Sequence, residues 1–172
     1  MTIGIAGRIL AAILLLLGAA AGVSAMGWFP RETEGWQRQV FDGSEFRTGP
    51  SDGGFSVWVR SGYLPSGGGG GAPADGQRLP PGFGAVAGYC FVQQAGGKLA
   101  GKESRHPQAG VAVRIVGDGL TREATTDEGG YFAAVLPPGS YELQGRAGTA
   151  RVEVESGRTA LVGLRAGKRM VD

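Results

Sequence analysis

The chain has 172 residues, of which 34 are glycine and 42% are hydrophobic. This length suits one domain with additional segments, and frequent glycine without a three-residue period indicates turns and linkers rather than collagen. The formal net charge is only +2, from 17 basic and 15 acidic residues. That near balance gives no reason to expect a nucleic-acid partner.

Residues 1–25 follow the three-part plan of a bacterial secretory signal peptide. Arg8 provides a positive flank, residues 9–22 are continuously apolar, and residues 23–25 ("VSA") offer the small side chains of a cleavage site. We therefore expect cleavage after this leader and export to the periplasm, the cell surface or the extracellular space. The alternative is an uncleaved leader, with aromatic residues such as Trp28 at its boundary, and only then do we expect contact with a membrane.

The next two segments have contrasting compositions. Residues 26–64 hold all three tryptophans and one alternating run, "FSVWVR" at 55–60, which predicts a single strand. Residues 65–83 include five consecutive glycines and several prolines, so their composition predicts a linker. The tryptophans, which are candidates for contact with a partner, are Trp28, Trp36 and Trp58.

From residue 84 to residue 166 the pattern is all-β, because short alternating runs are separated by turn signals every eight to twelve residues. The polar run at 120–126 is expected at a sheet edge, where charge discourages unwanted pairing. Residues 167–172, together with the basic side chains near them, are expected to be a solvated tail. The seven candidate strands are 85–92, 110–117, 120–126, 131–136, 140–145, 150–155 and 159–165.

The segment "TTDEGGYFAAVLPPGSYEL" at 125–143 predicts a turn, a strand, a second turn and a second strand. The acids and glycines at 127–130 favour the first turn. Alternate residues of 131–136 share one face, and two prolines then stop the strand by removing backbone donors. We expect Tyr141 and Leu143 to return to the same interior, and we interpret the segment as a hairpin. A calcium loop at Asp127 and Glu128 is a weaker alternative, because the spacing lacks a regular run of oxygen ligands.

These motifs carry a family resemblance over about half of the chain. The Gly-x-x-Val-x-Ile pattern at 110–115, the Thr-Asp-x-x-Gly-x-Phe pattern at 126–132 and the Leu-Pro-Pro-Gly-x-Tyr-x-Leu pattern at 136–143 occur in order. Residues 84–166 thus resemble the carboxypeptidase regulatory-like domain, whose fold is a seven-stranded, transthyretin-like Greek-key sandwich. The resemblance implies an accessory, adhesive or spacer module without the catalytic zinc domain, and a fold class grouped with carbohydrate-binding-like domains.

The sequence offers little chemistry for an enzyme. His106 is the only histidine and is expected in a polar loop, while Cys90 is the only cysteine and is expected inside a strand, facing the core. A nucleophilic pair of these two residues lacks an orienting third group, and no second metal ligand accompanies His106. We therefore expect no catalytic activity, no cofactor and no metal.

The first strand raises one question about binding. If Val86 and Cys90 face inward, Tyr89 and Phe91 face outward, where aromatic rings can stack on sugars or anchor a protein. The alternative is that the N-terminal region, with Trp58 and its strand, covers them. The leading hypothesis is a non-catalytic exported interaction or structural module, bound to another exported protein or a cell-surface polymer. The second is a carbohydrate-binding accessory domain, with Tyr89, Phe91, Tyr131 or the tryptophans as stacking platforms.

Overall fold

The computed structural model describes residues 35–50, 54–68, 70–95 and 104–170, which fall within one compact unit, Thr33–Asp172. The predicted signal peptide and Trp28 lie outside the described residues. All regular structure in the described residues is β, and they contain no helix of the length and apolar character that a membrane crossing requires. The strands are β1 (Gln37–Phe41), β2 (Phe46–Thr48), β3 (Ser56–Val59), β4 (Ser66–Gly67), β5 (Gly84–Ala95), β6 (Ser104–Pro107), β7 (Ala112–Gly117), β8 (Leu120–Thr125), β9 (Tyr131–Leu136), β10 (Gly139–Gln144), β11 (Thr149–Val154) and β12 (Thr159–Met170).

Three sheets are stacked as layers. The N-terminal sheet has the order β2-β1-β3-β4, and the outer sheet has the order β11-β10-β7-β8. Between them lies the central sheet, in which β5 pairs with β12 in parallel and with both β6 and β9 in antiparallel fashion. The central sheet is covered on both faces, which explains why the β5 sequence is apolar at nearly every position.

The core between the central and outer sheets follows the period-two alternation of the sequence. Val86 and Cys90 of β5 meet Phe132 and Leu136 of β9 in one buried cluster. Tyr141 of β10 joins the same cluster from the outer sheet. Each of the seven predicted runs forms a strand, and the polar strand β8 lies at the edge of the outer sheet as expected.

The prediction of a hairpin at 131–143 is wrong, although the face of each strand that was predicted to point into the core does so. β9 pairs with β5 in the central sheet, whereas β10 pairs with β7 and β11 in the outer sheet. The two prolines at 137 and 138 carry no backbone N–H, so the chain cannot continue a ladder there. The Pro-Pro-Gly connection instead carries the chain across the core from one sheet to the other.

The structure also adds strands that the sequence did not predict. The region 26–64 contributes β1 and β2 as well as the expected β3, and β6 occupies the segment around His106 that was interpreted as a loop. β12 continues to Met170, because its backbone pairs with β5 into the segment interpreted as a tail. The sandwich strands therefore number eight with β6, and the Greek-key, transthyretin-like topology stays a prediction.

The glycine-rich segment is attached to the protein by backbone hydrogen bonds. Leu64 N–H donates to Gln77 O (2.8 Å), and Leu79 N–H donates to Gly62 O (2.9 Å). Leu79 is buried, and Ser66–Gly67 forms β4 on the edge of β3. Much of the segment interpreted as a linker is thus packed against the N-terminal sheet.

Candidate binding site

The outward face of the central sheet carries a layer of aromatic rings. Tyr89 and Phe91 do face away from the core of Val86 and Cys90, as the alternation of β5 predicted. The Tyr89 ring stacks on Phe55 with centroids 4.7 Å apart, and Phe91 contacts Phe55 at 6.1 Å. We call the six rings between the N-terminal and central sheets the aromatic layer; they are Phe41, Phe46, Phe55, Tyr89, Phe91 and Tyr131.

Two tyrosine hydroxyls attach this layer to the backbone of the N-terminal sheet. Tyr89 Oη donates to Ser56 O (2.7 Å) and accepts from Gly68 N–H (3.0 Å). Tyr131 Oη donates to Pro65 O (2.9 Å). Burial is the main cause that raises the pKa of both tyrosines above the ordinary value of 10.0. Both rings therefore stay neutral at physiological pH and act as hydrogen-bond donors between the two sheets.

Glycines allow the rings to approach the opposite backbone closely. The ring of Phe41 lies where a side chain at Gly163 of β12 would stand, and the ring of Tyr131 lies where a side chain at Gly67 would stand. Neither glycine has a positive φ, so close approach is the constraint at both positions. These close contacts thus fix the position of the N-terminal sheet on the face of the central sheet.

An open cleft of about 460 Å³ lies at one end of the aromatic layer. It is bounded by the start of β3, the residues after β4, the β6 strand and the turn before β9. Partly exposed ring surface of Phe55 and Tyr131 contributes its apolar part. The residues that line it are Phe41, Gly54, Phe55, Ser56, Gly68, Tyr89, Arg105, Pro107, Asp127, Gly129 and Tyr131.

Two opposite charges flank the apolar part of the cleft. The Asp127 carboxylate accepts the Tyr131 N–H through Oδ1 (2.9 Å), and Gly130 N–H donates to Asp127 O (2.9 Å), which confirms the predicted turn. The exposed Arg105 guanidinium lies where a side chain at Gly43 would stand. Neither charge forms an ion pair within the part of the chain that the structure describes. Both are therefore available to groups of opposite charge on a ligand.

The structure brings together three of the six residues predicted as partner or glycan contacts. Tyr89 and Phe91 are only 2% and 4% exposed, so neither ring is open to a ligand as a free platform. Tyr131 is partly exposed at the cleft. The predicted cover from the N-terminal region is confirmed, but it is provided by residues such as Phe55 and Val57 rather than by Trp58.

Trp58 and Trp36 lie on the opposite face of the N-terminal sheet. The Trp58 indole N–H donates to Gly70 O (3.0 Å), and the Trp36 ring lies where a side chain at Gly76 would stand. Both tryptophans therefore hold the glycine-rich segment. Trp28 lies outside the described residues.

Sequence reasoning missed three residues of the cleft. Phe55 was recognised only as the start of a strand, and Asp127 only as a turn residue or, more weakly, as part of a calcium loop. Arg105 belonged to a segment interpreted as a loop. Nothing in local spacing indicates that these residues meet, because the cleft is formed by packing the N-terminal sheet on the central sheet.

The residues considered for catalysis do not form an activated site. Cys90 is fully buried, and burial raises its pKa to about 11, so it is a thiol at neutral pH. His106 is exposed on β6, paired with Val92. Within the described ranges, no group of three or more His, Cys, Asp or Glu residues could hold a metal ion.

Comparison with known proteins adds little to this description. No protein-family model matches the sequence, and no curated protein matches it. Among solved structures, a minor pilin of Streptococcus agalactiae is 11% identical with a TM-score of 0.39, covering 80% of this chain and 83% of its own. A Pseudomonas aeruginosa protein provisionally described as carbohydrate-binding is 13% identical with a TM-score of 0.34, covering 49% of this chain and 89% of its own.

A third structure, a fimbrial protein of Bacteroides ovatus, is 10% identical with a TM-score of 0.33, covering 69% of this chain and 27% of its own. At these values none of the three assigns a family or a function to this chain. The part of the chain that the structure describes is all-β, with stacked, mainly antiparallel sheets. The resemblance to the carboxypeptidase regulatory-like domain stays a prediction from the motifs.

Proposed function

We propose that the protein is a non-catalytic binding module that acts outside the cytoplasm, in a periplasmic or cell-surface assembly, and holds a protein partner in the cleft beside the aromatic layer. The observation that carries this proposal is the arrangement of the cleft itself. Ring surface of Phe55 and Tyr131 lines the cleft together with a carboxylate, Asp127, and a guanidinium, Arg105, that have no ion-pair partner among the described residues.

Such a cleft suits one anchoring side chain of a partner. Binding energy at protein interfaces concentrates in a few apolar or aromatic groups that fill a desolvated pocket, with charges at the rim. The walls are already fixed, because hydrogen bonds from Tyr89 and Tyr131 hold the layers together. Little ordering entropy is then lost when the partner binds.

The absence of catalysis is part of the proposal. The thiol of Cys90 faces the core, and its raised pKa opposes formation of the thiolate that a nucleophile requires. Asp127 Oδ1 accepts the Tyr131 N–H, which fixes the carboxylate at the cleft, and the charge has no ion pair among the described residues. These placements support a role for the polar groups in binding.

Carbohydrate binding is the second candidate, and the same cleft favours it. A partly exposed Tyr131 ring offers a stacking surface, and a carboxylate and a guanidinium nearby can accept and donate hydrogen bonds to hydroxyl groups. Because Tyr89 and Phe91 are buried, Tyr131 and Phe55 would provide the ring surface for a sugar.

The two candidates are separated by one affinity experiment. The full chain with a C-terminal tag is expressed in its native host, crosslinked mildly in the envelope and purified, and its companions are identified by mass spectrometry. We compare the wild type with Arg105→Glu, and with Arg122→Glu as the control. Arg122 is an equally exposed arginine on the edge strand β8 of the outer sheet.

A single stoichiometric protein that is lost with Arg105→Glu and retained with Arg122→Glu is the expected result. Retention on envelope polysaccharide without a protein, lost in the same variant, would support the carbohydrate candidate instead. If Arg105→Glu and the wild type recover the same companions, the cleft is not the binding site and the proposal fails.

The exported location is tested separately. Cell fractionation with N-terminal sequencing of the tagged chain should recover a protein in the envelope or medium that begins at Met26. Recovery of the full-length chain in the cytoplasm would contradict the proposed location. Recovery of the full-length chain in the membrane fraction would support the uncleaved leader.

A further inference from the structure

A second cluster of functional groups lies on the face of the N-terminal sheet that points away from the aromatic layer. The guanidinium carbon of Arg60 lies 4.3 Å from the centroid of the Tyr63 ring, and that of Arg78 lies 5.1 Å from the same centroid. On the neighbouring strand, the Arg38 guanidinium lies 5.1 Å from the centroid of the Trp58 ring. We call these three arginines and two rings the arginine cluster.

The arginine cluster is charged without compensation from the described residues. No carboxylate of residues 35–50, 54–68, 70–95 or 104–170 forms an ion pair with Arg38, Arg60 or Arg78. Arg38 Nε is buried and has no hydrogen-bond partner there. A buried unpaired donor costs free energy, but a ligand at the surface cannot reach it. Like charges that share one aromatic ring repel each other, so an anion beside Arg60 and Arg78 would relieve that repulsion.

Arg78 is exposed, so its donors are those of the cluster that a ligand reaches most readily. A guanidinium on a ring uses its flat face, whereas its N–H groups point outward in its own plane. Those edges match a carboxylate in a bidentate pair. Because the ring faces are already covered by the guanidinium groups, the cluster would recognise charge and not the apolar face of a sugar.

The backbone holds the cluster in place before any ligand arrives. Tyr63 N–H donates to Arg60 O (3.1 Å) in a tight turn, and Tyr63 forms a β-bridge with Arg78. Arg38 and Trp58 are register partners on β1 and β3, and the Trp58 indole is itself fixed by Gly70 O. The backbone of the cluster is therefore already ordered, so that the ordering cost of binding falls mainly on the arginine side chains.

We propose that the arginine cluster binds an acidic polysaccharide, through carboxylates that recur along the polymer. Several guanidinium groups on one surface fit repeated anions better than a single small anion. The formal net charge of the chain is only +2, so binding would depend on the local charge of the arginine cluster and not on long-range attraction by the whole protein. The choice of polysaccharide rests on the extracytoplasmic location proposed above, and the site is separate from the cleft.

The test measures binding of the purified full chain to polygalacturonate, with dextran as the neutral polymer and duplex DNA as a different polyanion. Arg78→Gln removes an exposed charge of the cluster, and Arg122→Gln on β8 removes an equally exposed charge from the outer sheet. We expect salt-sensitive binding to polygalacturonate and none to dextran. Arg78→Gln should weaken it roughly tenfold, from the loss of a charged hydrogen-bonded pair.

Two further variants sharpen the result. Arg78→Lys keeps the positive charge but loses the paired N–H donors that bind a carboxylate through two hydrogen bonds. Its affinity should therefore fall between those of the wild type and Arg78→Gln. In a chain that carries Arg105→Glu, adding Arg78→Gln should still weaken polygalacturonate binding. A failure of the cleft proposal and a failure of the arginine-cluster proposal are then distinguishable. Equal affinity of Arg78→Gln and Arg122→Gln would overturn the proposal. Binding to dextran or DNA as tight as to polygalacturonate would overturn it as well.

Discussion

On one face of the central sheet, β5 contributes Val86 and Cys90 to an aliphatic core, whereas on the other it contributes Tyr89 to the aromatic layer. The aliphatic core, which also contains Phe132 and Tyr141, is held mainly by burial of apolar side-chain surface, which is non-directional. The aromatic layer adds directed hydrogen bonds, from Tyr89 Oη to Ser56 O and from Tyr131 Oη to Pro65 O. One strand whose side chains alternate between the two faces of a sheet can therefore specify two interfaces of different character.

The two interfaces also differ in what fixes their fit. In the core, interdigitating side chains of two sheets set the spacing. In the aromatic layer, rings lie directly on backbone at Gly163 and Gly67, where any side chain would collide with them. Substitutions in the core should therefore affect the whole sandwich, and substitutions in the layer should first loosen the N-terminal sheet.

The largest effect is expected from a deletion in the aliphatic core. Phe132→Ala removes a fully buried ring and leaves a cavity, so the free energy of unfolding should fall by about 3–5 kcal/mol. Urea denaturation followed by circular dichroism and by tryptophan fluorescence should show one transition, shifted equally in both signals. Val135→Ala on the same strand, at a half-buried position on the other face, should cost clearly less. Equal losses in the two variants would contradict the division into two interfaces.

A collision in the aromatic layer should have the next largest effect. Gly163→Ala places a methyl group where the Phe41 ring lies, and Phe41 is buried and cannot easily move away, so we expect a loss of about 1–3 kcal/mol. Hydrogen exchange read by mass spectrometry should show faster exchange in β1 and β3 and unchanged protection in β7 and β10. Gly71→Ala, which meets nothing within 4 Å, should change stability by less than about 0.5 kcal/mol. Uniform acceleration in all sheets would show that the layer does not loosen first.

A smaller effect should follow from removing one hydroxyl of the layer. Tyr89→Phe keeps the ring stacked on Phe55 and removes both hydrogen bonds of the hydroxyl. Gly68 N–H still donates to Ser56 O (3.1 Å), so the cost should be only about 1 kcal/mol. Tyr141→Phe is the matched control, because its hydroxyl makes a single hydrogen bond to Pro137 O. Thermal unfolding of both variants measures the difference. A larger loss for Tyr141→Phe would mean that the bridging hydroxyl of Tyr89 contributes little to the fit of the layers.

The weakest effect should appear only in alkali. Burial is the largest cause that raises the folded-state pKa of Tyr89 and Tyr131 above 10.0, so the unfolded chain releases their protons first as the pH rises. Their contribution is complete below pH 10 and is lost progressively above it. Chemical denaturation from pH 8 to 11 should show falling stability in the wild type and a shallower fall in Tyr89→Phe. Parallel slopes in the two proteins would rule out Tyr89 as a source of the pH dependence.

Much of the fold could be predicted from particular residues. Alternation in β5, β7, β9, β10 and β12 located their strands because the core requires one apolar face. The outward direction of Tyr89 followed from the same period. The candidate cleft could not be predicted in this way, since Asp127 and Arg105 are brought beside Phe55 only when three separate segments pack together.

The sequence alone was enough to predict the all-β class, the positions of the seven sandwich strands, the polar edge strand β8 and the turn at Asp127. These features depend on neighbours within a few residues, through side-chain period and turn chemistry. Two features were visible only in the tertiary structure. The Pro137-Pro138 connection crosses between sheets, and the glycine-rich segment is attached to the N-terminal sheet. Those outcomes depend on contacts between residues distant in the chain, which local spacing does not record.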